Sequence, residues 1–224
     1  MNERSGFSVI AIDGPAASGK STVARVLAGH LGFSYVNSGL MYRSAAWLAH
    51  LRRINPDHST AVWQTLQSAD LQFGLANKEL FIRIAGVDPV AHLKEEVVNR
   101  TVSSVATVPE VRAFLSDRLR GFAVLDNVVV EGRDIGSVVF PQTPFKFYID
   151  ASPEIRARRR AAQGLKDSPA HRDRIDTSRR SSPLIVADDA EVIDTSSLSI
   201  ERVLKDVIAR LQRKGLPSAL NLNL

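Results

Sequence analysis

Two hydrophobic periods alternate along this chain, and each change of period marks an element. Residues 8–12 form a short apolar, β-branched run that ends in Asp13-Gly14. Such a run predicts a strand buried on both faces, as in a parallel sheet. After a glycine-rich stretch, Val23, Val26, Leu27 and Leu31 recur at helical spacing. A second strand is expected at 34–36 and a helix over 40–51. Residues 71–75 and 80–84 suit two strands, with Asn77-Lys78 as the turn between them. A helical stretch follows over about 90–106. Pro109 then suits the first position of a helix running to about 122.

Strand signals return at 127–131, where Asn-Val-Val-Val-Glu reads as a core strand with an acidic end, and at 145–149. Ser152-Pro153-Glu154 opens a helix. Residues 164–182, rich in Gly, Pro, Ser, Asp and Arg, have the composition of a mobile loop. A last strand is expected at 190–193. Ile200, Val203, Leu204, Val207, Ile208 and Leu211 then give an amphipathic final helix, and the tail from 215 is expected to fray. Strands alternating with helices predict an α/β fold, a parallel sheet flanked by helices. Residues 55–106 read as an α+β insertion in it.

Composition narrows the class. At 224 residues with 44% hydrophobic content, the chain reads as one globular domain. With no Cys there is no disulfide framework, no thiol nucleophile and no Cys-based metal site. The five His residues show no metal-ligand spacing. No apolar run spans a bilayer, and 1–6 lead into no signal-peptide core, so a soluble cytoplasmic protein is expected. The net charge is +5, and Arg outnumbers Lys by 22 to 7. Eight of the arginines crowd into residues 156–180. A guanidinium fork grips phosphate at two points, so a polyphosphate or a nucleic acid would suit this stretch. Residues 156–180 contain no Phe, Tyr or Trp, which argues against nucleic acid.

The segment Gly14-Pro15-Ala16-Ala17-Ser18-Gly19-Lys20-Ser21 is G-x-x-x-x-G-K-[ST] between a strand and a helix. Glycines let the backbone wrap so that N–H groups meet phosphate oxygens, and the helix that follows presents its positive end to them. Lys20 is placed to reach the β- and γ-phosphates, and the Ser21 hydroxyl to ligate Mg²⁺. With Thr22, residues 14–21 are the expected ATP site. Asp13 has two readings at this stage, a holder of a Mg²⁺-bound water or a loop cap. An acceptor that is itself a phosphate monoester has a second pKa of about 6 and needs no strong general base. The shortage of catalytic His is therefore compatible with a kinase, and the surplus of Arg favours one.

The chain resembles the bacterial cytidylate kinases over nearly its full length. The resemblance is carried by 12–15 leading into the loop, by Asn37-Ser38-Gly39 with Tyr42-Arg43, and by Val108-Pro109-Glu110-Val111-Arg112. It continues in Glu131-Gly132-Arg133-Asp134-Ile135-Gly136 with 138–141, and in Arg172 to Arg179 ahead of Ser182-Pro183-Leu184. It implies a P-loop nucleoside monophosphate kinase fold. The core would be 7–54, 107–163 and 183–214, the monophosphate-binding insertion 55–106 and a short Arg-rich lid 164–182. It further implies transfer of phosphate from Mg²⁺-ATP to CMP, and to dCMP, by a monomer without nucleic-acid or membrane partners.

Carried over by position, Ser38, Tyr42, Ser103, Arg112, Glu131, Gly132 and Asp134 would bind the acceptor. Arg43 and Arg133 would join Arg112 around its phosphate. Asp176 would meet the sugar hydroxyls and Arg179 the base or phosphate region. Lys20, Arg133, Arg172 and Arg179 would act on the transferring group. Two departures stand out. Glu131 replaces a more common Asp, and only eleven residues, 161–171, separate Arg160 from Arg172. The shorter lid predicts weaker shielding of the phosphates from water.

Overall fold

The computed structural model describes residues 7–164 and 169–216. Seven strands form one sheet: β1 (Val9–Asp13), β2 (Ser34–Asn37), β3 (Leu71–Ala76), β4 (Glu79–Ile84), β5 (Val128–Gly132), β6 (Phe145–Asp150) and β7 (Glu191–Asp194). Their order is β3-β4-β2-β5-β1-β6-β7, parallel throughout except for the β3–β4 hairpin. Among the described residues eight α-helices accompany them, α1 (Lys20–Leu31), α2 (Ser38–Leu51), α3 (Ser59–Gln67), α4 (Glu96–Val105), α5 (Pro109–Phe122), α6 (Pro153–Ala162), α7 (Pro169–Ser178) and α8 (Ile200–Arg213), with a π-helical turn at Ile135–Val139.

The period-2 pattern of the strands divides the core in two. Ala11, Val36, Val128 and Val130 face the layer made by α2, α4 and α5. Ile10, Ile12, Tyr35, Val129, Phe147 and Ile149 face the opposite layer, with α1 and α8. Both faces of β1 and β5 are thus dry, which is why their sequences are continuous apolar runs. The register sets Asp13 beside Gly132 and Asn37 beside Glu131. Three functional segments therefore leave the sheet together at the carboxyl ends of β1, β2 and β5, where open α/β sheets form their sites.

The expected elements are found with small shifts, and three features differ. The helix expected from residue 90 begins at Glu96; Pro89 opens a turn instead, with the Asp88 side chain accepting from the Val90 N–H at 2.9 Å. Helix α3 carries only Val62 and Leu66 as buried residues, too sparse a stripe for periodicity to reveal. The expected mobile loop 164–182 contains α7, with Pro169 at its start. Local composition disfavours this helix, but its carboxylates make ion pairs with two arginines elsewhere in the fold, Arg133 and Arg156, and with Arg179 just past its end. Residues 165–168 of that expected loop lie outside the described residues. Among the described residues no helix is long and apolar enough to cross a membrane.

Candidate active site

Where β1 ends, the chain must turn away from the sheet at close quarters. Gly14 stands at φ +152°, and a Cβ there would lie 2.1 Å from the Ile149 carbonyl oxygen of β6. Only glycine lets the loop pass. Gly19, in the left-handed region at φ 95°, closes the loop and caps α1. The unpaired N–H groups of the first turn of α1 open on the cavity and favour an anion there.

Lys20 is buried within this loop, its Nζ donating to the Pro15 carbonyl at 3.1 Å. Burial, followed by the charge of Arg133, pushes its ammonium down to about 7, while Glu131 works in the opposite direction. Asp13 accepts from the backbone N–H groups of Ile135 at 2.8 Å and Gly136 at 2.7 Å. Each of its carboxylate oxygens accepts one backbone hydrogen bond, so Asp13 caps this loop. Burial raises its pKa to about 7 against those two hydrogen bonds.

Glu131, grouped with the acceptor-binding residues on sequence, turns its carboxylate to the P-loop. Ser21 Oγ donates to Oε2 at 2.9 Å, and the Tyr35 hydroxyl donates to Oε1 at 2.8 Å. The longer side chain reaches both partners. Among the described residues no cluster of three or more His, Asp or Glu could hold a metal without help. One hydroxyl with its lone pairs open, backed by one carboxylate, suits Mg²⁺, which takes few protein ligands and fills its shell with phosphate oxygens and water.

The opposite wall is built of guanidinium groups held by carboxylates. Arg112 is 3% exposed, pairs with Asp134 at 2.5 Å, donates to the Ala106 carbonyl at 3.0 Å and lies over the Tyr42 ring. Burial pushes the Tyr42 phenol up to about 12. Arg133 Nε donates to Asp176 at 2.8 Å, and Arg179 pairs with the other oxygen of the same carboxylate. Arg43 donates to the Leu93 carbonyl at 2.9 Å and to Asn99 Oδ1 at 2.7 Å. Burial, then the charges of Arg112 and Arg133, lowers Arg179 to about 10. Crowded cations of this kind gain from an anion between them. The buried Nε atoms of Arg112 and Arg179 have no hydrogen-bond partner among the described residues.

One cavity of about 690 Å³ gathers these groups. Of the residues singled out on sequence, Gly14, Pro15 and Ser18 lie behind its lining. Ala16, Ala17, Gly19, Lys20, Ser21, Thr22, Ser38, Tyr42, Arg43, Ser103, Arg112, Glu131, Gly132, Arg133, Asp134, Arg172, Asp176 and Arg179 all line it. Sequence reasoning missed Thr195, Leu198, Ser199, Ile200 and Val203, which line it together with Arg159. Arg159 is held there by the Ser18 carbonyl at 3.0 Å and the Thr195 carbonyl at 2.8 Å. Ile200 heads the apolar stripe of α8, is 43% exposed and lines the cavity.

A phosphate loop between β1 and α1, facing an arginine wall across one cavity, defines a P-loop kinase of the nucleoside monophosphate kinase fold. The profile of the cytidylate kinase family matches residues 10–213. The chain belongs to that family. It is 41% identical to a cytidylate kinase of Pelotomaculum thermopropionicum over 92% of this chain and 96% of that protein. It is 37% identical to a cytidylate kinase of Stutzerimonas stutzeri, covering 93% and 96%. A solved structure of an uncharacterized protein from Eubacterium ventriosum shares the fold, with TM-score 0.50 at 12% identity over 92% of this chain and 98% of that one.

Proposed function

We infer that this protein transfers the γ-phosphoryl group of ATP to CMP, and that dCMP serves as well. The observation that carries the reading is one cavity lined by the phosphate loop and by the guanidinium-bearing residues Arg43, Arg112, Arg133 and Arg179. Such a cluster of donors suits the oxygens of a second phosphate. The segment 55–106 would supply one wall of the acceptor pocket and 164–182 the lid.

The triphosphate lies along residues 14–21, with Lys20 at its β- and γ-oxygens and its nucleoside toward Arg159, Thr195 and Val203. Ser21 and, behind it, Glu131 would hold Mg²⁺, which when bound neutralises charge on the β- and γ-phosphates. The acceptor monophosphate sits among Arg43, Arg112 and Arg133, its sugar toward Asp176 and its base toward Ser38 and Ser103. Asp134 and Asp176 hold the clamp arginines before substrate arrives, so little reorganisation remains at the moment of transfer. An acceptor oxygen attacks the γ-phosphorus in line and ADP leaves. Arg133, Arg172 and Arg179 stabilise the charge on the transferring group.

The test is ADP release from Mg²⁺-ATP with CMP, dCMP, UMP, AMP or GMP. Turnover with CMP and dCMP, with CDP and dCDP identified as products, is the expected result. Turnover with a purine monophosphate alone would overturn the acceptor assignment and leave the donor site standing. Arg112→Lys should raise the KM for CMP about tenfold, because a point charge replaces a two-point grip, and leave the KM for ATP unchanged. A loss confined to ATP would place Arg112 on the wrong substrate.

A further inference from the structure

Asp173 on α7 lies in the Arg172 to Arg179 stretch that carries the resemblance, but the sequence assigned it no role. Its Oδ1 accepts from the Ala16 backbone N–H at 3.0 Å, and its other oxygen pairs with Arg156 of α6. Arg156 in turn donates to the Ala16 carbonyl at 3.3 Å and the Ala151 carbonyl at 3.1 Å. A closed ring of contacts results, in which one P-loop residue is held through both its N–H and its C=O. Pro15 has no N–H, so Ala16 offers the first backbone donor after the glycine turn. Asp173 and Arg156 are 15% and 11% exposed, so water screens the pair weakly.

The ring reaches the rest of the site through α7. Arg172, the preceding residue, lines the cavity, and Asp176, one turn on, holds Arg133 and Arg179. Burial lowers the pKa of both Lys20 and Arg133, and the charge of Asp173 works against it at both. We propose that Asp173 is a positioning residue: by latching α7 onto Ala16 and Arg156, it sets Arg172 and Asp176 over the junction of the two substrates and keeps water from that junction. The proposal deepens the phosphotransferase reading and rests on it. The latch ties α7 directly to the P-loop backbone.

The experiment compares the full-length protein with Asp173→Asn and Asp173→Ala. ADP release is measured with and without CMP, and ATP dissociation constants by calorimetry. A latch predicts that Asp173→Ala lowers kcat roughly 30-fold and raises the CMP-independent share of ADP release at least about fivefold, with ATP affinity within about twofold. Asn retains an acceptor for the Ala16 N–H and loses the ionic partner of Arg156. It should therefore fall between the two, and its near-identical shape keeps the fold available if the alanine variant is lost. Unchanged turnover and an unchanged share of idle hydrolysis in Asp173→Asn and Asp173→Ala would reduce the ring to an inert ion pair. Tighter ATP binding with full turnover would show that the carboxylate merely stands in for phosphate in the empty loop, and would equally overturn the latch. If the wild-type protein accepts another monophosphate in place of CMP, the acceptor assignment fails. The comparison then runs with that acceptor.

Discussion

Lys20→Ala is expected to lower kcat about a thousandfold while the protein stays folded. The ammonium sits in a buried loop, with a single backbone carbonyl as hydrogen-bond partner. It meets its full set of acceptors when phosphate oxygens fill the loop, so the loss falls on the transition state more than on the empty protein. Stability should respond in the reverse sense. Burial and Arg133 lower Lys20 to about 7, against 10.5 for an unperturbed lysine. Between these values the unfolded chain binds the proton and the folded chain has released it, so the Lys20 contribution to stability rises with pH from about 7 to 10.5. Below about 7 both states are protonated and the buried charge weighs on the fold in full. The alanine variant should therefore melt at or above the wild-type temperature at pH 6, and the advantage should shrink towards pH 10. Melting curves across that range, with turnover at neutral pH, check both parts. Retained turnover would remove Lys20 from the chemistry.

Arg112→Ala should combine the two kinds of loss. It removes one arm of the acceptor clamp, for an increase in the KM for CMP of about a hundredfold, and leaves Asp134 buried without its partner. Breaking one side of a buried pair costs about 3–5 kcal/mol, a fall in melting temperature on the order of 10 °C for a chain of this size. The double variant Arg112→Met with Asp134→Asn separates these effects. With both charges gone, most of the stability should return, whereas CMP binding should stay lost. Recovery of CMP binding along with stability would show that the pair supports the fold and takes no part in the clamp.

Much of the fold was legible because local and tertiary preferences agree. The β1 and β5 runs are apolar on both faces and sit at the centre of the sheet. Helix α5 begins at Pro109 and ends at Phe122, as expected. The hairpin turns at Asn77 and Lys78, both at positive φ. Helix α7 was illegible because its stabilising partners, Arg133 and Arg156, are remote in sequence. Within the site, resemblance placed the residues on one cavity but assigned Glu131 to the acceptor, whereas its carboxylate turns to Ser21 and Tyr35. An acid before a glycine can face either substrate. The contacts of Tyr35 and Ser21 decide it.

By itself, the sequence determined the alternation of strand and helix, the phosphate loop between β1 and α1, and the surplus of arginine that a second anionic substrate requires. These follow from short-range rules: a period of two or 3.6, a glycine where backbone must pass, a positive charge for a negative one. The tertiary structure alone decided which arginine pairs with which carboxylate, that Asp13 caps the segment carrying Arg133 and Asp134, and that Asp173 meets Ala16. Those pairings join residues up to 157 positions apart, between elements whose meeting depends on strand order and on burial that removes competing water. No local pattern encodes such a meeting, because the energy that selects it appears only once the layers have packed.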